Sequence, residues 1–206
     1  RLSRKIEELL YPALESGHLD IVLGKGPSAR TVELALPSFT LIGATTRVAE
    51  LSGPFRSRFG GGVYLLDFYN DDDLRDIIRR SAQLLNLSAP EEVIDRIAAR
   101  SRATPRVANA LLKRVRDFSE VHEKALSTDL CDEACKLFGI DAHGLTKDDR
   151  RYLETLLASF RGGPAGVRAL AAALHEDSDT VEYVYEPYLL RLGFIERSPR
   201  GRILTP

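Results

Sequence analysis

Phe39-Thr40-Leu41-Ile42-Gly43-Ala44-Thr45-Thr46-Arg47, followed by Leu51-Ser52-Gly53-Pro54-Phe55-Arg56-Ser57-Arg58-Phe59-Gly60, is the part of the sequence that says most about architecture. It opens with a short apolar run, Phe39 to Ala44, with Pro37 before it and polar residues after it. Such a run reads as a fully buried strand of a parallel sheet; a buried helix turn is the other structure it fits. Open α/β sheets bind ligands beyond the carboxyl ends of their strands, which puts the hydroxyls of Thr45 and Thr46 at a binding edge. Arg56 and Arg58 follow, separated by one serine and leading into Phe59-Gly60. Guanidinium donors match phosphate oxygens in pairs, so two arginines here point to an anion. A solvated basic loop is the plainer alternative.

The bulk properties set bounds. At 206 residues the chain suits one large domain or two or three small ones, each able to build a core. The formal charge of −1 provides no global basic field, so any nucleic-acid contact must be a local patch. There is no apolar run of about eighteen residues and no signal-peptide pattern, so a cytoplasmic protein without a membrane span is expected. Cys131 and Cys135 lie four apart in a helix-like stretch without a nearby histidine. They read as reduced, half-buried helix residues and not as metal ligands.

No G-x-x-x-x-G-K-[ST] phosphate loop occurs. Gly24-Lys25-Gly26-Pro27-Ser28 imitates one but lacks the first glycine at the right spacing, and it reads as a turn. That turn separates Leu19–Leu23 from Thr31–Leu36, two runs that predict a β-hairpin. Before it, Ile6, Leu9, Leu10, Ala13 and Leu14 mark the apolar face of a helix stopped by Gly17. After the arginine pair, Val63 to Phe68 predicts another apolar strand. Tyr69-Asn70-Asp71-Asp72-Asp73 then opens a helix whose acidic first turn suits capping better than a metal.

Residues 74 to about 140 carry helical periodicity throughout. Thr104-Pro105-Arg106 starts one of these helices, with Pro105 where its missing amide costs nothing. Arg106 thereby falls in the first turn, beside the positive end of the dipole. That is poor for the helix and useful for holding an anion. Gly139 to Gly144 is the next break and predicts a domain boundary. Beyond it come three apolar helix faces: Leu153 to Phe160, Val167 to Leu174, and a third from Val181 to Leu189 in the position of a recognition helix. Gly193 to Arg197 and Arg202 to Thr205 then flank Ser198-Pro199-Arg200-Gly201 as a basic wing. Asp179, Glu182 and Glu186 on the presumed recognition helix would repel a DNA backbone. Sequence-independent contact by the wing is therefore favoured over base reading.

Leu-Ile-Gly-Ala-Thr-Thr-Arg followed by Pro-Phe-Arg-Ser-Arg-Phe-Gly resembles the sensor-1 strand and arginine-finger box of AAA+ ATPases, and most closely those of the RuvB family of Holliday-junction motors. The resemblance runs through the whole chain in order, from helix and hairpin to sensor 1, arginine box, sensor 2 and winged helix. It implies a partial α/β AAA+ core without its P-loop half, an all-α lid and a C-terminal winged-helix domain, at residues 1–69, 70–141 and 145–206. It further implies the C-terminal part of a longer ATPase, beginning just after the Walker B residues that would precede Arg1-Leu2. Thr45 or Thr46 takes the sensor-1 role. Arg58, the arginine before Phe-Gly, is favoured over Arg56 as the finger that reaches a neighbouring subunit's nucleotide. Tyr69 matches the aromatic beside the nucleotide and Arg106 the sensor-2 arginine. Arg197, Arg200 and Arg202 of the wing would touch DNA. ATP or ADP with Mg2+ is the implied cofactor, bound mostly by residues outside this sequence, with no metal ligand within it. A hexameric ring is implied, together with a RuvA-like junction-binding partner gripped by the hairpin at 19–36. The glycine triplet Gly60-Gly61-Gly62 is longer than the family pattern and leaves the rest position of the finger open. A clamp-loader or replication-initiation ATPase and a non-catalytic winged-helix module are the other classes. The first would share the sensors without this hairpin and wing, and the second would lack a P-loop altogether.

Overall fold

The computed structural model describes residues 3–24, 26 and 29–205. Arg1 and Leu2, the expected junction with Walker B, and Lys25, Pro27 and Ser28 of the expected turn lie outside the described residues. The chain divides into two compact units, Arg1–Leu66 and Asp67–Pro206.

In the first unit, α1 (Arg4–Ser16) ends at Gly17, whose φ of 71° is left-handed and suits a residue without a Cβ. The hairpin β1 (His18–Leu23) and β2 (Arg30–Ala35) follows, antiparallel from His18↔Ala35 to Leu23↔Arg30. Ile21, Val22, Leu23, Val32 and Leu34 on it are exposed. The short α2 (Gly53–Ser57) carries the arginine box.

Two expected strands are absent. Residues 39–44 and 63–68 lie outside any ladder, and Ile42 and Leu66 are 88% and 92% exposed. An internal parallel strand is held by ladders on both edges and by packing on both faces. The only sheets among the described residues are two-stranded hairpins, so neither run has a neighbour. The expected apolar face of α1 is likewise half open: Ala13 is buried, whereas Ile6 and Leu9 are exposed.

The second unit holds two cores. Around the first pack α3 (Asp71–Leu84), α4 (Glu91–Ala99), α5 (Pro105–Val121) and α6 (Thr128–Leu137). Leu74, Ile78, Ile94, Ile97, Leu111, Leu112 and Val115 form its centre. Each of these helices buries one stripe at helical spacing, which is the term that stabilises so short an element. Asn70 caps α3 by accepting from the Asp73 amide at 2.8 Å, and Asp71, Asp72 and Asp73 sit at the positive end of its dipole. Cys131 and Cys135 are free thiols buried completely in this core, deeper than the half-buried state expected. Their mutual hydrogen bond, reinforced by burial, pushes the Cys131 thiol far up.

The second core gathers Leu145, Tyr152, Leu156, Leu170, Leu174, Val181, Leu189 and Ile195. It is built by α7 (Lys147–Phe160), α8 (Val167–Leu174), the single turn α9 (Ser178–Thr180) and α10 (Glu186–Arg191). A capping box between Thr146 and Asp149 starts α7. The expected recognition helix is not one regular helix, because residues 181–185 form a wide π turn between α9 and α10. Pro187 explains the break: it has no amide to donate, and its ring would clash with the carbonyl four residues back. The wing is β3 (Ile195–Ser198) paired with β4 (Gly201–Leu204), and Ala165 adds an antiparallel bridge to Arg202.

Candidate functional site

The arginine box is organised by one face of α1. Glu7, Tyr11 and Glu15 recur every four residues, a spacing that aligns them along the helix. Glu7, only 2% exposed, accepts from the Ser52 amide at 3.3 Å. The Tyr11 hydroxyl shares a hydrogen bond with Ser52 Oγ at 3.0 Å. Ser52 in turn caps α2 by accepting from the Phe55 amide. Phe55 is buried, with the Phe59 ring edge-on at 5.2 Å. Glu15 forms a salt bridge with Arg58, whose guanidinium also lies 4.3 Å over the Tyr11 ring and donates to the Pro54 carbonyl. Arg58 is thus oriented by three contacts, while its Nε is buried without a partner. Arg56, in the last turn of α2, is exposed. Sequence reasoning missed Glu7, Tyr11 and Glu15, although their four-residue spacing was readable.

Thr45 and Thr46 are both exposed, and Thr45 Oγ1 accepts from the Arg47 amide at 3.0 Å in a local turn. A Cβ at Gly43 would stand 3.8 Å from the Phe59 ring, so the threonine-ended segment runs directly beside the arginine box. The first unit therefore brings these two predicted motifs together.

In the second unit, Arg106 occupies the first turn of α5 and is exposed, as its position after Thr104-Pro105 requires. Tyr69 is 44% exposed and its amide donates to the Ala103 carbonyl at 3.3 Å, at the loop that leads into Arg106. The aromatic and the arginine thus belong to one end of the helical lid. An exposed cation at a helix N-terminus, beside amides that lack intrahelical partners, suits a phosphate group. No group of three or more metal-ligating side chains occurs among the described residues.

The wing arginines fall into two kinds. Glu186, fully buried, takes Arg202 in a fork, Nε to Oε1 at 2.7 Å and Nη2 to Oε2 at 3.2 Å. Its Oε2 also accepts from Arg197 Nε and Nη2 at 2.9 and 2.7 Å. The Tyr152 hydroxyl donates to Oε1 at 3.4 Å, and burial beside this carboxylate pushes the Tyr152 phenol up. Burial alone would lower the pKa of Arg202, but its hydrogen bonds and charge pairing with Glu186 outweigh that and raise it. Glu182 adds a salt bridge to Arg202 at 3.2 Å. Glu186 therefore does not confront solvent as a repelling acid; it braces the wing from within. Of the three expected contacts, Arg202 is 13% exposed at its side chain, Arg197 is 45% exposed, and Arg200 stands open at the turn.

A segment ending in Thr45 and Thr46 beside an arginine box, a lid helix opening on an exposed arginine, and a winged helix after it in the chain define the class: part of an AAA+ module with a winged-helix head. Comparison with known proteins narrows it. Residues 1–65 match the Holliday junction DNA helicase RuvB P-loop domain, residues 69–141 the RuvB AAA lid domain and residues 142–206 the RuvB C-terminal winged helix domain. A relative from Dehalococcoides mccartyi (strain CBDB1), Holliday junction branch migration complex subunit RuvB, is 53% identical over 206 residues, all of this chain and 59% of the relative. The solved structure of the Thermotoga maritima RuvB Holliday junction branch migration motor matches with a TM-score of 0.82 at 43% identity, over 100% of this chain and 64% of that one. A point mutant of the same Thermotoga maritima protein matches with a TM-score of 0.85 at 44% identity, again over 100% of this chain and 64% of that one. The chain belongs to the RuvB family, and it spans 59% of the length of its curated relative.

Proposed function

We propose that the full-length protein is an ATP-driven motor for branch migration of four-way DNA junctions in recombination and repair. The observation that carries this reading is the end of the lid where Tyr69 is tied to the loop that presents Arg106, in a chain that also bears an arginine box and a wing. Arg106 would meet the γ-phosphate in its own subunit, with Tyr69 against the nucleotide. Arg58 would reach the nucleotide of a neighbouring subunit, since a finger supplied in trans completes a site only in an assembled ring. Thr45 or Thr46 would orient the phosphate or the attacking water from the segment beside the arginine box. ATP with Mg2+ would supply the chemistry of phosphoryl transfer. Among the residues present, Arg58 and Arg106 suit its anionic phosphates.

The remaining assignments follow from the same reading. The apolar hairpin at 19–36 grips a RuvA-like junction-binding protein, subunits close a hexameric ring, and the wing holds the DNA backbone without regard to sequence. The domains divide at 1–69, 70–141 and 145–206, and the protein works in the bacterial cytoplasm. No helix among the described residues is long and apolar enough to cross a membrane.

The test is ATP hydrolysis by the full-length protein with a four-way junction, comparing wild type with Arg58→Ala. A trans finger is worth rate factors on the order of 10³–10⁵ in related phosphoryl-transfer systems, so the variant should lose nearly all turnover. Mixing it with subunits dead in Walker A should restore part of the activity. Full activity in Arg58→Ala would move the finger to Arg56. DNA binding without any hydrolysis by wild type would favour a winged-helix binding module.

A further inference from the structure

The loop between α4 and α5 carries an arrangement that the nucleotide and DNA sites do not use. Arg102 and Ala103 are consecutive non-glycine residues with φ of 55° and 53°. The left-handed region is disfavoured for any residue with a Cβ, and such positions persist only where their surroundings over-determine them. The surroundings are visible on both sides. On one side, the Ala103 carbonyl accepts from the Tyr69 amide at 3.3 Å, and Thr104 leads directly into Pro105 and Arg106. On the other, Arg102 Nη1 donates to Asp149 Oδ2 at 2.5 Å, and its guanidinium lies 4.3 Å over the Tyr188 ring. Asp149 belongs to α7 and Tyr188 to α10, both of them winged-helix elements.

This contact differs from the others at the elbow. Arg100 donates to the Asp141 carbonyl, and Arg150 to the Gly139 and Leu145 carbonyls, so these arginines brace the connecting segment. Arg102 instead contacts the helices of the winged domain itself. Its partner is also exacting. The Asp149 side chain is 1% exposed, Oδ2 serves the cap of α7 as well, and Oδ1 is buried with no partner. A buried carboxylate in that state depends on its one ion pair, so a displaced Arg102 would be felt throughout the first turn of α7.

We propose that Arg102 is a positioning residue that couples the nucleotide state sensed through Tyr69 and Arg106 to the orientation of the winged helix, with the Arg102–Asp149 pair as the joint. This rests on the nucleotide reading of Tyr69 and Arg106. A shift of the lid end that turns Ala103 or Thr104 changes the φ/ψ of the two left-handed residues. The guanidinium on Arg102 then pulls or releases α7 and α10. Coupling between two sites needs an element with two arrangements that both sites bias, and the proposal gives that role to this strained loop.

The test uses the full-length protein with a four-way junction and its junction-binding partner, measuring base pairs migrated per ATP hydrolysed. Arg102→Ala should keep DNA-stimulated hydrolysis and lower that ratio by about tenfold, the usual scale of a coupling between sites. Because Arg102→Ala leaves a buried carboxylate unpaired, the double variant Arg102→Gln/Asp149→Asn serves beside it. That variant replaces the ion pair by neutral amides and should show the same uncoupling in a folded protein. Hydrogen exchange with a non-hydrolysable ATP analogue adds a structural readout. Wild type should change protection in both α5 and α7, the variants in α5 alone. Wild-type ratios and α7 responses in both variants would overturn this proposal alone. A wild-type protein that neither binds ATP nor moves junctions would overturn the functional reading and this proposal with it.

Discussion

Glu186 and Arg202 form a forked ion pair in the interior of the winged helix, with the carboxylate fully buried and the guanidinium nearly so. Taking such a carboxylate out of water is costly, and its hydrogen bonds with Arg202, Arg197 and Tyr152 offset that cost. Removing one partner of a buried pair leaves uncompensated charge, typically at about 3–5 kcal/mol. Glu186→Ala should therefore lower the urea midpoint by a large fraction of the protein's stability, and Glu186→Gln by less. An unchanged midpoint in Glu186→Ala would contradict the brace.

On the proposed reading, Arg200 is the wing arginine that meets DNA without bracing the fold, since its side chain stands open at the turn. Arg200→Ala should weaken junction binding about equally for all sequences and reduce the slope of log K against log salt by about one. Its melting temperature should stay at the wild-type value. Arg202→Ala should instead lose stability and DNA affinity together. Titrations at several salt concentrations, with melts of the same samples, separate the two behaviours.

Gly144 sits at φ 75°, and a Cβ there would meet the Arg100 carbonyl oxygen at 2.8 Å. Gly139, at φ 70°, would meet only the Lys147 side chain, at 3.1 Å. Backbone cannot yield as a lysine tail can. Gly144→Ala should then cost about 2–4 kcal/mol from overpacking and left-handed strain together, and Gly139→Ala nearer 1 kcal/mol. Thermal unfolding of the two variants side by side checks the order, which is the informative part.

The Arg79–Glu91 pair joins α3 to α4 across the surface of the lid, and its hydrogen bond holds the Glu91 carboxyl below the ordinary glutamate range. A depressed carboxylate contributes stability that is present above its unfolded pKa and is lost as pH falls through its folded pKa. The difference in melting temperature between wild type and Glu91→Gln should thus be present at neutral pH and vanish below the ordinary glutamate range. High salt should shrink it at neutral pH, because both partners are exposed. A difference that grew on acidification would reverse the sign of the linkage.

The lid helices and the wing were legible in the sequence because their signals are local. Asn70 before three acids, Pro105 after Thr104, and apolar residues at helical spacing each act within a turn or two of the chain. The runs at 39–44 and 63–68 have the composition of buried strands, but a strand is completed by ladders elsewhere, and the described residues provide none. Composition reports what a segment suits, and pairing depends on what is there to meet it. Of the candidate site, the arginines and threonines were found by pattern, whereas their supports were not. Nothing in the spacing of Glu186 distinguishes an acid facing DNA from one buried beneath two arginines. The Glu7-Tyr11-Glu15 stripe was readable in principle but was masked by the apolar residues interleaved with it.

Cys131 and Cys135 are the only cysteines in the sequence, and both are sealed inside the lid core. A thiol reagent can reach them only when α6 opens, so the rate at which an excess of reagent labels the protein reports how often that core breathes. The lid therefore carries its own stopwatch. Slower labelling with nucleotide bound would register tightening of the lid, and within these 206 residues a cysteine introduced on the surface would be the site a dye attaches to quickly.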